Sequence, residues 1–344
     1  MKYLHTADLH LEAGKDLDAF GWLITKAEDL GVNGIIVAGD LFNSDKDASL
    51  LRSQVAAMAN RTDFRFFVIP GNHDRKSYSR EYDYGNNVVQ LVSTPFEISE
   101  HEGIHICGVP YAETRFNTCL QDLHEQPDIL IAHGTLYDQS FIFSMLDDIE
   151  TRYMPILPGH LENRARYVAL GHLHARYIAA TYGDTHVVYP GSPSALDTKC
   201  TEPRACSLVT IDKNTLQIER VLIDSAPYWV RKIFYIFPGV EERTLQEIET
   251  FLAGLDTHTS LPYIAVRGYT AEKDRTFKER ASKMIEPLMQ KFVQRRIEIE
   301  PQPWDVIIEH KLVRDFVDKS AHLDETTRIK LLELMFPIFN DILK

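Results

Sequence analysis

The sequence predicts a layered α/β protein, two packed sheets flanked by helices, followed by a smaller α+β unit and C-terminal helices. Three observations predict it. Five short apolar runs, rich in β-branched and aromatic residues, each stop on a polar, glycine-bearing turn. Through the first part of the chain these runs alternate with segments of helical periodicity, the pattern of a mostly parallel sheet with helices on both faces. Beyond His174 the helices drop out while strand patterns continue, which calls for a second sheet packed on the first.

The first strand, Met1 to Thr6, runs into Asp8-Leu9-His10. A helix follows from Leu17 to Leu30, with Phe20, Leu23, Ile24 and Ala27 at helical spacing, and stops before Gly31. Gly34 to Ala38 is a strand ending in Gly39-Asp40, and Asp45 to Ala59 is helical. Arg65 to Pro70 is a buried strand ending in Gly71-Asn72-His73-Asp74. From Pro95 to Pro110 the pattern shortens to strands. Asp128 to Ala132 runs into His133-Gly134, and Tyr167 to Leu170 into Gly171-His172-Leu173-His174. His186 to Tyr189, Cys206 to Ile211 and Leu216 to Ile223 are further strands.

A boundary falls near Ser225-Ala226-Pro227, giving a first domain over residues 1–224. Residues 225–302 read as an α+β unit: strands over 230–237, 261–267 and 296–299, helices over 241–252 and 276–292. Pro301-Gln302-Pro303 breaks the chain, and residues 303–344 read as two amphipathic helices, the second capped by Asp324.

Composition narrows the function classes. The chain has 344 residues, 44% hydrophobic and 25% charged, the balance of a globular protein with more than one core. No apolar run approaches a membrane span. Strand residues begin at once, and the four cysteines show no CxxC spacing, so a cytoplasmic protein with free thiols is expected. A net charge of −13 excludes a surface coated for nucleic acid, while leaving room for a local basic lip beside cations.

Chemistry gathers at the strand ends. Asp8, His10, Asp40, Asn72, His133, His172 and His174 are imidazoles, carboxylates and one amide, a set that suits Mn, Fe or Zn better than Mg. Seven ligands exceed the need of one ion, so two are implied, with Asp40 the simplest bridge. Two ions about 3.5–4 Å apart grip the attacking and leaving oxygens of an in-line phosphoryl displacement. His73, next to Asn72, is placed to protonate the leaving oxygen or to stabilise developing charge. Asp74 is placed to orient an imidazole. Asp-x-His or Gly-Asp alone is weak, and Gly-His-x-His after an apolar strand is the most specific piece. The other histidines, His5 and His101 among them, read as surface or core residues.

In order and spacing, Asp8-x-His10, Gly39-Asp40, Gly71-Asn72-His73-Asp74, His133-Gly134 and Gly171-His172-x-His174 resemble the calcineurin-like metallophosphoesterases over residues 1 to 224. The resemblance implies a four-layer αββα sandwich. It implies one metal on Asp8, His10, Asp40 and His174, the other on Asp40, Asn72, His133 and His172, and His73 as the transition-state histidine. Thr6 to Leu11, Gly39-Asp40-Leu41-Phe42 and Tyr189-Pro190-Gly191-Ser192-Pro193 are similar to the SbcD-type double-strand-break repair nucleases. That likeness implies a capping domain over 225–302, a Mn-dependent DNA exo- or endonuclease, a homodimer, and an SMC-type coiled-coil ATPase (SbcC-like) docking on the C-terminal helices. Where many of those nucleases carry a second catalytic histidine, this chain has Asn43, which donates a hydrogen bond but transfers no proton near neutral pH.

Arg75, Lys76 and Arg80 are candidate DNA contacts, with Tyr78, Tyr82 and Tyr84 as candidate stacking platforms. The alternative is a phosphodiesterase or phosphatase for nucleotides or other small phosphoesters, favoured by the acidic charge and by Asn43. A non-catalytic assembly role is opposed by the intact ligand set.

Overall fold

Strand β1 (Lys2–Thr6) lies within a six-stranded sheet, between β2 (Gly34–Val37) and a later antiparallel strand. The computed structural model describes residues 1–15, 17–138, 153–272 and 274–342. Helix α1 (Asp18–Leu30) precedes β2, and α2 (Asp45–Ala59), capped by Ser44, precedes β3 (Arg65–Val68) and β4 (Val88–Gln90). Strands β1 to β4 pair in parallel.

The chain then builds a second sheet from β5 (Glu97–His101), β6 (Ile104–Val109), β7 (Ile129–His133), β8 (Tyr167–Gly171), β9 (Ile178–Tyr182) and β10 (Thr185–Tyr189), in the order β5-β6-β7-β8-β10-β9. The four inner strands are parallel and the two edges antiparallel. Short helices α3 (Phe116–Cys119) and α4 (Pro158–Leu161) lie in its connections. Finally β11 (Ala205–Ile211) and β12 (Leu216–Leu222) return to the first sheet, with β11 antiparallel to β1.

Alternation along each strand sorts the side chains into three cores. Leu4, Ile35, Val37 and Phe66 meet α1 and α2 through Phe20, Leu23, Leu51 and Val55. Tyr3, Ile36, Phe67 and Val209 face Ile106, Ile131, Tyr167 and Val188 of the second sheet. Cys107, Leu130, Val168 and Val187 point the other way, onto Phe116, Cys119 and Leu161. The result is an α/β/β/α layering. It is the expected four-layer αββα sandwich, and it refines the expectation of helices on both faces of one sheet: each sheet has helices on one face and its partner sheet on the other. A continuous apolar run says that both faces of a strand are buried but not what buries them. Strands β4 and β9 lie at sheet edges, half exposed, and carry no apolar run to announce them.

The layered unit, Met1–Ala226, is one of two compact units; the other is Pro227–Lys344. In the second, β13 (Tyr228–Ile236), α5 (Glu241–Ala253), β14 (Ser260–Thr270), α6 (Asp274–Met289) and β15 (Arg296–Ile299) form a β-α-β-α-β unit of three parallel strands, to which a short fourth strand adds by pairing with β14. Both helices bury Leu245, Ile248, Phe277 and Ile285 against Phe234, Ile264 and Val266. A short β16 (Gln302–Pro303) leads into α7 (Trp304–Ile308), α8 (Lys311–Ser320) and α9 (Glu325–Ile342), three helices where two were expected. Ile307, Val313, Leu332 and Phe339 share a core with Phe237, Val240 and Tyr269, so these helices pack on the sheet that precedes them.

Candidate metal centre

The carboxyl ends of β1, β2 and β3 in one sheet, and of β7 and β8 in the other, open onto one place, where open α/β sheets build their sites. Past its strand, β1 keeps its ladder with the β2 turn: Asp8 N donates to Gly39 O at 3.1 Å and His10 N to Asp40 O at 3.1 Å. This geometry forces Asp8, His10 and Asp40 to φ of 56°, 48° and 50°, and His172 sits at 109°. Side chains rarely adopt such values, and each costs on the order of 1–3 kcal/mol unless its surroundings fix it. Four of the seven non-glycine residues so strained among those described are candidate ligands, which marks the place as a site. Two glycines make the approach possible. A Cβ on Gly71 would stand 2.1 Å from Asp40 Oδ1, and one on Gly171 would stand 1.9 Å from Ala38 O.

All seven expected ligands converge. His10 Nε2 lies 3.3 Å from His174 Nε2, and His174 Nε2 lies 3.6 Å from Asp8 Oδ1. Across the site, Asn72 Oδ1 is 2.9 Å from His133 Nε2 and 3.2 Å from His172 Nδ1. Asp40 Oδ2 stands between the two groups, 3.8 Å from His10 Nε2 and 3.3 Å from His133 Nε2. Three overlapping sets have donor atoms close enough to hold an ion: Asp8, His10 and His174; His10, Asp40 and His73; Asp8, Asp40 and His133.

The backbone fixes the tautomers. His133 Nδ1 donates to Ala38 O at 2.9 Å, turning Nε2 inward. His10 Nδ1 donates to Asn43 Oδ1 at 3.3 Å, which turns its Nε2 to the site as well. Asp8 accepts the main-chain N–H of His172 at 2.9 and 3.1 Å, and Asp40 Oδ1 accepts that of His73 at 2.9 Å. Asp40 Oδ2 is left buried with no hydrogen-bond partner. A buried carboxylate is costly unless positive charge faces it; in the metal-free protein His133 Nε2 at 3.3 Å does so, and a cation between the imidazoles would take over that role. The donor set therefore fits divalent metal.

Electrostatics agree. Burial holds His10 and His174 down at about 4 against the pull of Asp40, and lowers His172 too, so these rings are neutral lone-pair donors near pH 7. Burial would also lower His133, but Asp40 and Asp8 outweigh it and hold the ring at about 9. Burial would raise Asp40, yet His133 and His10 keep it well below the usual carboxylate range. Burial lifts Asp8 to about 7 despite His133.

The remaining site residues divide. His73 is exposed at the rim; its ring centroid lies 4.7 Å from that of His10, and its Nδ1 donates to Asn43 O at 3.2 Å. Asn43 thus holds two imidazoles, one by side chain and one by main chain. Asp74 departs from expectation. It is fully buried and accepts from Gly71 N, Phe42 N and Tyr78 OH at 2.9, 3.1 and 3.0 Å, so it ties the β3 turn to the β2 turn and orients no imidazole.

Among the basic candidates, Arg75 pairs with Glu113 at 2.9 Å and Arg80 with Glu97 at 2.8 Å, while Lys76 is exposed. Tyr78 and Tyr84 are core residues stacked on each other at 5.2 Å, unavailable to a base; Tyr82 is partly exposed beneath Arg52. Their placement at a loop of mixed polarity hid this burial. Two aromatics escaped notice: Tyr111, whose ring is 6.3 Å from His133, and Tyr153, whose ring is 5.0 Å from His172. Tyr111 follows β6 and obeys the same strand-end rule; nothing in the sequence marks Tyr153.

The family model described as calcineurin-like phosphoesterase matches residues 1–189. The SbcD component of nuclease SbcCD from Escherichia coli K12 is 25% identical over 271 residues, covering 63% of this chain and 66% of its own. DNA double-strand break repair protein Mre11 of Methanosarcina mazei is 26% identical over 272 residues, covering 72% of this chain and 42% of its own. The chain therefore spans just under two thirds of the first relative and less than half of the second. Among solved structures, an archaeal phosphodiesterase covers 64% of this chain and 100% of its own at 16% identity, with a TM-score of 0.35.

Proposed function

The chain belongs to the calcineurin-like phosphoesterases, and from that premise we propose that it is a two-metal phosphodiesterase acting on DNA, the nuclease component of a repair or end-processing assembly. The observation that carries the metal reading is Asp40 Oδ2, buried without a hydrogen bond and set 3.8 Å from His10 Nε2 and 3.3 Å from His133 Nε2. One ion would be held by Asp8, His10, Asp40 and His174, the other by Asp40, Asn72, His133 and His172. When bound, such a pair supplies Lewis acidity toward the phosphate and a nucleophile at neutral pH; manganese suits the mixed N/O donors.

The protein's own groups do the rest. Asn72, His133 and His172 cluster on one side, and Asp8, His10 and His174 on the other, so a phosphate is gripped between two fixed arrays. With Nδ1 donating to Asn43 O, His73 has Nε2 left for the substrate, where the imidazolium form would give its Nε2 proton to the leaving oxygen or stabilise its charge.

DNA as substrate is supported by the names of the nuclease and double-strand-break repair relatives. A companion protein is supported by the first relative's being one component of a nuclease, and an SMC-type ATPase is the candidate from the resemblance. Leu334 and Ile338, one turn apart on α9 and exposed while Leu332 and Phe339 face inward, support a docking face on the C-terminal helices. Two-fold association of the chain is part of the same reading.

A specific observation favours a second reading, hydrolysis of nucleotides or other small diesters: Arg75 and Arg80 are tied to glutamates, which leaves little free positive charge on that lip. Mn-dependent hydrolysis of bis-p-nitrophenyl phosphate and of linear duplex DNA decides between them. Cleavage of both, abolished by chelator, is expected; cleavage of the small diester alone would move the assignment to the second reading. His73→Ala is expected to retain both ions and lose about 10²–10⁴ in turnover; unchanged turnover would remove His73 from the chemistry.

A further inference from the structure

Arg204 is almost entirely buried, 1% exposed, and no carboxylate pairs with it among the described residues. It stands immediately before β11, at the end of the first sheet. Its Nη1 donates to His174 O at 3.1 Å and its Nη2 to Ala175 O at 2.7 Å, both on the loop beyond β8 of the second sheet. Burying a guanidinium against two carbonyls is an expensive way to close a loop, since no carboxylate is in direct ion-pair contact and only the nearby charge of Glu202 adds to the carbonyl dipoles. The loop it closes carries a ligand more open to its surroundings than the two it would share an ion with. The His174 side chain is 27% exposed, against 5% for His10 and 1% for Asp8.

The two histidines of Gly171-His172-Leu173-His174 are anchored differently. His172 is fixed by its main-chain N–H on Asp8. His174 has no such tie to another ligand. Its carbonyl accepts from Ser192 N at 3.1 Å and from Arg204, with the Cys200 sulfur at 3.8 Å. Gly191 lets the Ser192 loop approach this closely, because a Cβ there would meet His174 O at 3.1 Å.

We infer that Arg204 is a positioning residue for one of the two ions: its fork clamps the main chain at His174 and Ala175, and so sets His174 Nε2 against His10 and Asp8. The inference rests on the two-metal reading above. It concerns one subsite only, because Asn72, His133 and His172 are held by other bonds, to Ala38, Asp8 and each other.

The test is titration of metal-stripped full-length protein with Mn²⁺, followed by calorimetry and by elemental analysis of the bound metal. The unsubstituted chain, Arg204→Met and Arg204→Lys are compared, and metal-free thermal melts report folding. Two ions are expected in the unsubstituted chain. In Arg204→Met one of them should weaken by about 10–100-fold, the usual effect of removing a residue that orients a ligand, while the other keeps its affinity. Arg204→Lys, which keeps the charge without the fork, should fall between; if the Met variant does not fold, the Lys variant decides alone. Fewer than two ions in the unsubstituted chain would overturn the two-metal reading and the inference with it. Two ions of unaltered affinity in a folded variant would overturn the inference alone. Equal weakening of both ions would do the same, since it would make Arg204 a general support of the fold.

Discussion

In the proposed centre, protons and metal would compete for the same atoms. His133 is held at about 9 and Asp8 at about 7 in the metal-free protein, so near neutral pH the first carries a proton and the second is partly protonated. A cation must displace those protons. Both values lie above the ordinary ones, so folding stability from these groups is present at low pH and is lost as pH rises through about 7 and then about 9. The sign for binding is opposite: Mn²⁺ affinity, and the rise in melting temperature on adding Mn²⁺, should both increase between about pH 6 and about pH 9, with protons released on binding. Calorimetry in buffers of different ionisation enthalpy checks this, and affinity that falls over the same range would contradict the ligand assignment. The neutral state of His10, His172 and His174, by contrast, is set mainly by burial and needs no proton removed near pH 7.

Among the elements, the turns matter more than the strands that carry them. The β3 turn touches the β2 turn through Gly71, whose missing side chain leaves room for Asp40, and through Asp74, which accepts from Gly71 N and Phe42 N. Gly71→Ala puts a methyl group 2.1 Å from Asp40 Oδ1, inside any allowed contact. The expected outcome is displacement of the Asp40 carboxylate, proposed above as common to both ions, with metal stoichiometry below two and a loss of about 1–3 kcal/mol in stability from overpacking. A Gly71→Ala protein that binds two ions with normal affinity would show that the turn yields rather than the carboxylate. Much of this was readable beforehand. Polar residues at the ends of parallel apolar strands point to one place whatever the details of packing, so Asp8, His10, Asp40, Asn72, His133, His172 and His174 could be named from spacing alone. The partners of Asp74 could not, because Phe42 and Tyr78 bond it only after two turns from different strands have met. Nor could the burial of Tyr78 and Tyr84, since an aromatic in a polar loop reads the same whether it faces inward or out.

For the whole molecule, each of the two units has its own buried cores among the described residues, three of them in Met1–Ala226. The C-terminal helices instead complete the core of Pro227–Lys344, where Ile307, Val313, Leu332 and Phe339 are buried with Phe237 and Tyr269. Removing residues 303–344 should therefore spare hydrolysis of a small diester while destabilising the second unit, because each apolar side chain withdrawn contributes about 1.5–3 kcal/mol. If α9 also docks a companion, that capture is lost as well. The exposed pair Leu334 and Ile338 separates the two effects: Leu334→Asp with Ile338→Asp should leave the melt intact and remove capture alone. A shortened chain whose second unit melts as before would place these helices outside its core.

Residue order alone settled the layered α/β class, the strand ends and the donor types gathered there, because hydrophobic periodicity and the exit of parallel strands are local properties of the chain. What covers each face of each sheet, which carboxylate is stranded between two imidazoles, and which buried arginine holds the loop of His174 were decided only by folding. Those facts depend on meetings such as that of His172 with Asp8, 164 residues apart, and no local pattern encodes a contact whose geometry is fixed by everything packed around it.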